Sequence, residues 1–238
     1  MQQLVGYHRP RSIAEAVELL RGPGRMALAG GTTFRHDGGA DPVEVVDLQA
    51  LGLAGITEAG DRVRIGAATT LQTSSDDPLV PRLVRRCARA ELPSTLRTVA
   101  TIGGTVGAAE SESVLLAALL VHDAVVRFAD GRTAPLGSVL RAGVSHGSLV
   151  VEVTVSTGGA TAMASTGRTP ADVPIVAALA RATDDGVRLA LSGVATTPLL
   201  VDPGAIETLD PPGDFRGSAT YRLHLAGTLT ERAIRELS

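Results

Sequence analysis

Met26-Ala27-Leu28-Ala29-Gly30-Gly31-Thr32-Thr33 sets a short apolar segment directly against two glycines and two hydroxyls, and about seventy residues later Thr101-Ile102-Gly103-Gly104-Thr105 repeats that arrangement. Adjacent glycines give the backbone access to positive φ and leave no Cβ in the path of an anion, while successive N–H groups can converge on phosphate oxygens. A single Gly-Gly among 27 glycines reads as a tight turn. Two of them, each behind a strand-like segment, read as a split diphosphate cradle. Neither matches Gly-x-Gly-x-x-Gly, which argues against an ordinary Rossmann site.

Working outward from the first loop, Gln3 to Tyr7 is a short apolar stretch and Ser12-Ile13-Ala14-Glu15 is a capping box. Ile13, Ala16, Val17, Leu19 and Leu20 follow at helical spacing until Gly22-Pro23-Gly24. With Val43 to Leu48 as the next strand, the first unit is a parallel βαβ arrangement over residues 1–54. From Gly55 the texture becomes that of hairpins, with Ile56-Thr57-Glu58, a turn at Ala59-Gly60-Asp61, and Val63 to Gly66. A helix is expected from Pro78 to Ala90. Thr95 to Val106 is polar and rich in Thr and Gly, and leads to an apolar helix over Val114 to Val121. Another hairpin turns at Asp130-Gly131, and Leu149 to Val155 is a further strand, making residues 55–165 a mixed α+β unit. After a boundary near residue 165, a hairpin pairs Pro174 to Ala182 with Val187 to Leu191. Ser218 to Leu237 closes residues 166–238 as a helix.

Composition removes several classes. A chain of 238 residues with 44% hydrophobic side chains can bury a large core. It has no apolar run near the ~20 residues that span a bilayer, and its first ten residues lack a signal-peptide core, so a cytoplasmic protein without membrane attachment is expected. A net charge of −3 gives no positive field for nucleic acid. All 22 basic residues are Arg, and the chain has no Lys, Asn or Trp, for which GC-rich codon usage is the simplest origin. Schiff-base chemistry and a Walker-type Lys are thereby excluded. Cys87, inside a helical pattern, reads as a structural thiol. The five His show no ligand spacing, Ser145-His146 is no evidence for a nucleophile pair, and Arg85, Arg86 and Arg89 read as a solvated helix face. His36 and Asp37 follow the first loop and read as exposed.

The loops, together with Val45-Val46-Asp47-Leu48, Ile65-Gly66-Ala67-Ala68-Thr69-Thr70, Leu96-Arg97-Thr98-Val99-Ala100-Thr101 and Ala118-Leu119-Leu120-Val121-His122-Asp123-Ala124, resemble the FAD-binding medium subunit of the molybdenum hydroxylases, the carbon monoxide dehydrogenase and xanthine dehydrogenase type. Phe215 to Arg222, then Leu225 and Glu231-Arg232-Ala233, are similar to that family's last helix, so the resemblance is collinear over nearly the whole chain. It implies an α+β chain: a two-subdomain FAD-binding fold of the vanillyl-alcohol-oxidase (PCMH) type plus a small C-terminal α/β domain. It also implies FAD as cofactor, electrons arriving from iron–sulfur clusters, and two partners, a large molybdopterin subunit and a small [2Fe-2S] subunit. The implied FAD contacts are Ala29, Gly30, Gly31, Thr32 and Thr33 from the first loop and Thr101, Gly103, Gly104 and Thr105 from the second, with no catalytic side chain and no metal ligand.

The sequence also departs from that pattern. Thr105 stands where the family continues Gly-Gly-Asn, and Val114 where an Asp accepts hydrogen bonds from the flavin's sugar-like chain; Glu110 and Glu112 are displaced candidates for that role. Ala162 to Arg168 lacks the family's aromatic–Lys pair. Two lost polar contacts are worth about 3–4 kcal/mol, enough to turn a nanomolar site into a near-micromolar one. Two alternatives to the electron-transfer subunit therefore remain open from sequence. One is a family member with weak or no FAD binding, acting as an interaction protein or binding another small ligand; the other is a stand-alone FAD enzyme.

Overall fold

The computed structural model describes residues 3–32, 42–167 and 172–237. Its first unit is the expected βαβ arrangement: β1 (Leu4–His8), α1 (Ile13–Leu20), β2 (Arg25–Leu28) and β3 (Val43–Asp47). The sheet is parallel, in the order β1-β3-β2. β3 is central and buries Val43, Val45 and Val46, as a strand hydrogen-bonded on both edges should. At the start of α1, Ser12 Oγ accepts from Glu15 N. The Glu15 carboxylate takes the amide of Arg11, one residue outside the usual reciprocal partner.

The second unit is an antiparallel five-stranded sheet with helices against it. The hairpin β4 (Ile56–Ala59) and β5 (Arg62–Gly66) is joined by β6 (Val125–Phe128), β7 (Thr133–Pro135) and β8 (Val150–Ser156), in the order β4-β5-β8-β6-β7. The helix expected from Pro78 begins later, at α3 (Arg82–Glu91), because Pro81 occupies its N-cap, and it is preceded by the short α2 (Leu71–Asp76). The Thr- and Gly-rich stretch holds two more short helices, α4 (Ser94–Arg97) and α5 (Ile102–Ala108). Glycine is a poor helix former, but Thr101 starts α5 by accepting the Gly104 amide on its hydroxyl at 3.1 Å. α6 (Val114–Val121) is apolar on every face and all eight residues are buried, as such a helix must be. α7 (Leu136–Ala142) completes the layer.

A third sheet, antiparallel in the order β12-β11-β10-β9, forms the C-terminal unit from β9 (Thr161–Ser165), β10 (Ala177–Thr183), β11 (Gly186–Ser192) and β12 (Leu199–Val201). The last helix, α8 (Ala219–Arg235), is capped by Ser218. The expected hairpin is present as β10 and β11. β9 pairs with β10 although it lies before the boundary drawn near residue 165, so this sheet starts at residue 161. The polar surroundings of Ala162, Met163 and Ala164 hide a buried strand. Met163, Ala177, Leu179 and Ala190 share one core with α3 and α6, which ties this sheet to the second unit. In that core Cys87 Sγ lies 3.8 Å from Met163 Sδ, and burial pushes the thiol pKa up.

A close backbone approach joins the first unit to the second, and another tightens the second unit beside it. A Cβ on Gly30 would fall 1.9 Å from the Val99 carbonyl oxygen, and one on Gly103 would fall 2.8 Å from Ala67 Cβ. Gly30 thus presses against the residues that lead into α5, and no other amino acid fits there. Replacing Gly30 with Ala overpacks this seam and is expected to lower unfolding stability by about 1–3 kcal/mol. Gly227→Ala, in α8 with open space around it, is expected to raise stability by up to about 1 kcal/mol; urea midpoints compare the two.

α6 carries a titratable group at each end. Glu91 Oε2 accepts the Leu115 amide at 2.9 Å beneath its N-terminus, and burial pushes the carboxyl pKa up from 4.5 to about 7. His122, its C-cap, donates from Nδ1 to Ser156 O at 2.7 Å, and burial pushes its pKa down from 6.5 to about 4. The Glu91 contribution is complete below pH 4.5 and is lost as pH rises toward about 7; that of His122 is complete above pH 6.5 and is lost as pH falls toward about 4. Between those limits the slopes oppose. Unfolding measured across pH 4.5–6.5 is expected to show Glu91→Gln gaining stability with rising pH and His122→Gln losing it, with the parent chain flatter than either.

Candidate functional site

Where the three units meet, the chain forms an open-sided cavity of about 740 Å³, within the ~300–1,000 Å³ range of small-molecule sites. Leu48, Leu53, Leu149 and Val150 give it apolar lining, and α5 contributes a strip with no side chain beyond Cα at Gly103, Gly104 and Gly107. That spacing, i, i+1 and i+4, puts all three glycines on one side of the helix. Ala109, Glu110 and Ser111, in the loop leaving α5, continue the wall, with Ser148 from the second unit and Thr196 from the C-terminal one.

Of the residues expected from sequence, Ala29, Thr101, Gly103 and Gly104 line the cavity. Gly30, Gly31 and Thr32 do not line it: Gly30 is packed on Val99, and Gly31 turns the chain at φ +69. Thr105 is also off the wall, since its hydroxyl donates to the Thr101 carbonyl at 3.1 Å within its own helix. Thr33, His36, Asp37 and Arg168 lie outside the described residues. Val114 is in the core at the first position of α6, and Glu112 forms ion pairs elsewhere, whereas Glu110 does reach the cavity.

The picture of two sets of amides converging on one anion needs correction. On the second loop the donors are already engaged: Ile102 N with Thr69 O at 3.0 Å, Gly103 N with Ala67 O at 2.8 Å, Gly104 N with the Thr101 hydroxyl, and Thr105 N with Thr101 O at 2.9 Å. This loop offers a surface free of Cβ atoms, not a ring of donors. The amides of Gly30, Gly31 and Thr32 make no hydrogen bond to the described residues. Hydroxyls supply the remaining donors: among the described residues Ser111, Ser148 and Thr196 have no side-chain hydrogen bond, and Thr101 keeps a proton to donate.

Electrostatically, Glu110 is the one charged residue on the described wall. Among the described residues, the groups on this wall that could meet a diphosphate are amides and hydroxyls. An apolar lining, a glycine strip and scattered hydroxyls fit a long cofactor with a flat ring system and a polar chain. Among the described residues no cluster of His, Cys, Asp or Glu could hold a metal ion, and no helix is long and apolar enough to cross a membrane.

Sequence reasoning missed Gly107, Ser111, Ser148 and Thr196. Gly107 was detectable only once α5 was known to be helical. The other three come from different units and carry no local signal.

Known proteins agree with this architecture. Residues 2–155 match the family model described as the FAD binding domain in molybdopterin dehydrogenase. An uncharacterised Escherichia coli K12 protein, YgfM, is 30% identical, over 94% of this chain and 92% of its own length. The carbon monoxide dehydrogenase medium chain of Afipia carboxidovorans is 29% identical, over 96% of this chain and 94% of its own. The solved structure of reconstituted CO dehydrogenase from Oligotropha carboxidovorans superposes with a TM-score of 0.87 at 26% identity, covering 100% of this chain and 98% of that one.

Proposed function

The chain belongs to the FAD-binding domain family of the molybdopterin dehydrogenases, a FAD-binding subunit of the molybdenum-hydroxylase type, and we propose that the cavity between its three units holds that FAD for electron transfer within a larger oxidoreductase. The observation that carries this reading is the wall of α5, where Gly103, Gly104 and Gly107 face a cavity of cofactor size beside Ala29 and four hydroxyl residues. FAD bound there would supply a carrier that accepts electrons one at a time, as iron–sulfur clusters deliver them, and can pass them on in pairs. The protein's part is to bind, orient and shield it: apolar side chains such as Leu53 and Leu149 exclude water, Thr101, Ser111, Ser148 and Thr196 donate hydrogen bonds, and Glu110 accepts them from hydroxyls of the cofactor's chain. The proposed binding set is completed by Ala29 on the wall, by Gly30, Gly31 and Thr32, whose amides are unpaired among the described residues, and by Thr33 and Thr105 from the sequence pattern alone. We place the chain in the cytoplasm, with a large molybdopterin subunit and a small [2Fe-2S] subunit as partners.

The competing reading, a family member that has lost its flavin and persists through protein contacts or another ligand, is favoured by the absence of any cation on the described wall and by the positions of Thr105 and Val114. Titrating the purified chain with FAD separates the two. Visible flavin bands and a saturable isotherm are expected; their absence sinks the FAD reading. Gly107→Leu, whose side chain enters open space, is expected to abolish uptake while leaving the fold intact. Glu110→Ala removes a charged acceptor worth about 1.5–3 kcal/mol and is expected to weaken FAD by at least about tenfold.

A further inference from the structure

The cavity loop between α5 and α6 is held from outside its own unit. Gly193 N, in the C-terminal unit, donates to Ser111 O at 2.7 Å. The Arg216 guanidinium pairs with one oxygen of Glu112, and Arg222 stands 3.6 Å from the other. Arg222 is a buried hub: Nη1 donates to the carbonyls of Gly193 at 2.7 Å and Ile175 at 2.9 Å, and Nη2 to Asp214 at 2.7 Å. Asp214 also accepts the amides of Arg216 at 2.9 Å and Gly217 at 3.0 Å, which folds the turn carrying Arg216. The second arm of Arg216 donates to the Val173 carbonyl.

These bonds converge on two consecutive loop residues. Gly193 sits at φ +78, where a Cβ would fall 2.0 Å from Ile175 O, so only glycine brings its amide to Ser111. On the other side of the loop, Ala109 leaves α5 in the left-handed region at φ +49, a conformation alanine adopts reluctantly and keeps only where its surroundings impose it. Glu112, Asp214, Arg216 and Arg222 do not line the cavity; Glu110 and Ser111 do.

Resting on the FAD reading of that cavity, we propose that Arg216 and Arg222 are positioning residues for the cofactor. From the C-terminal unit they fix Glu112 and, through Gly193, Ser111, and so set where Glu110 and Ser111 meet the flavin's polar chain. The Arg216–Glu112 pair is well under half exposed, with side-chain accessibilities of 24% and 23%, so solvent screens it less than a surface pair and removing one partner strands the other.

The test uses the full chain, with FAD affinity read by flavin fluorescence. Glu112→Gln and Arg216→Gln are each expected to weaken FAD about tenfold, an interaction of about 1.4 kcal/mol, with the double variant no weaker than either. Arg216→Lys is expected to recover affinity to within about threefold of the parent, and the visible flavin bands of Arg216→Gln are expected to shift. Arg188→Gln is the control, because Arg188 joins the same two units through Asp123 at 2.6 Å, away from the loop; it should leave affinity unchanged. If the parent binds FAD and the Glu112 and Arg216 variants bind it equally well, the positioning role is overturned and the FAD reading stands. If Arg188→Gln is as damaging as Arg216→Gln, general docking of the units explains the effect and the proposal also falls. A parent chain that takes no FAD overturns the FAD reading itself and this proposal with it.

Discussion

The contact of Gly30 with the carbonyl of Val99 is the constraint on which the remaining geometry depends. It joins the first glycine loop to the segment leading into the second, so the βαβ unit and the antiparallel unit share a seam with no side chain in it. Gly103 makes a similar close approach inside the second unit, against Ala67. With both glycines in place, α5 lies along the seam and exposes its glycine side to the cavity. The two Gly-Gly pairs thus serve chiefly for closeness: of their four residues, Gly31 alone takes a positive φ.

Much of the fold is legible in the sequence because its signals are local. Ser12 and Ser218 announce helices through their hydroxyls, β3 carries three valines in five residues, and the β10–β11 hairpin turns at Asp184-Asp185-Gly186. What escaped was set by packing. α5 is helical despite two adjacent glycines because Thr101 caps it and Ala67 and Thr69 accept its first amides. β9 reads as part of a polar connector until its pairing with β10 is known.

The site was legible to a lesser extent. Ala29, Thr101, Gly103 and Gly104 were identifiable from glycine pairing, and Glu110 only as one of two out-of-register substitutes for the acidic residue that the family resemblance implies at Val114. Ser111, Ser148 and Thr196 were not, because a hydroxyl becomes a donor to a cavity only through tertiary placement. The missing Lys has a structural counterpart: the donors on the described wall are uncharged amides and hydroxyls, which interact more weakly with an anion than ammonium or guanidinium groups do.

Thr196, Gly193 and Arg222 come late in the chain, after both glycine loops, yet each shapes or restrains the wall around Glu110 and Ser111. During synthesis the N-terminal units emerge and fold first. The first two units can therefore close their seam while the cavity still lacks its last wall. By this order of construction the cavity is complete only when the whole chain has been made, so any ligand that needs all of its walls is met late.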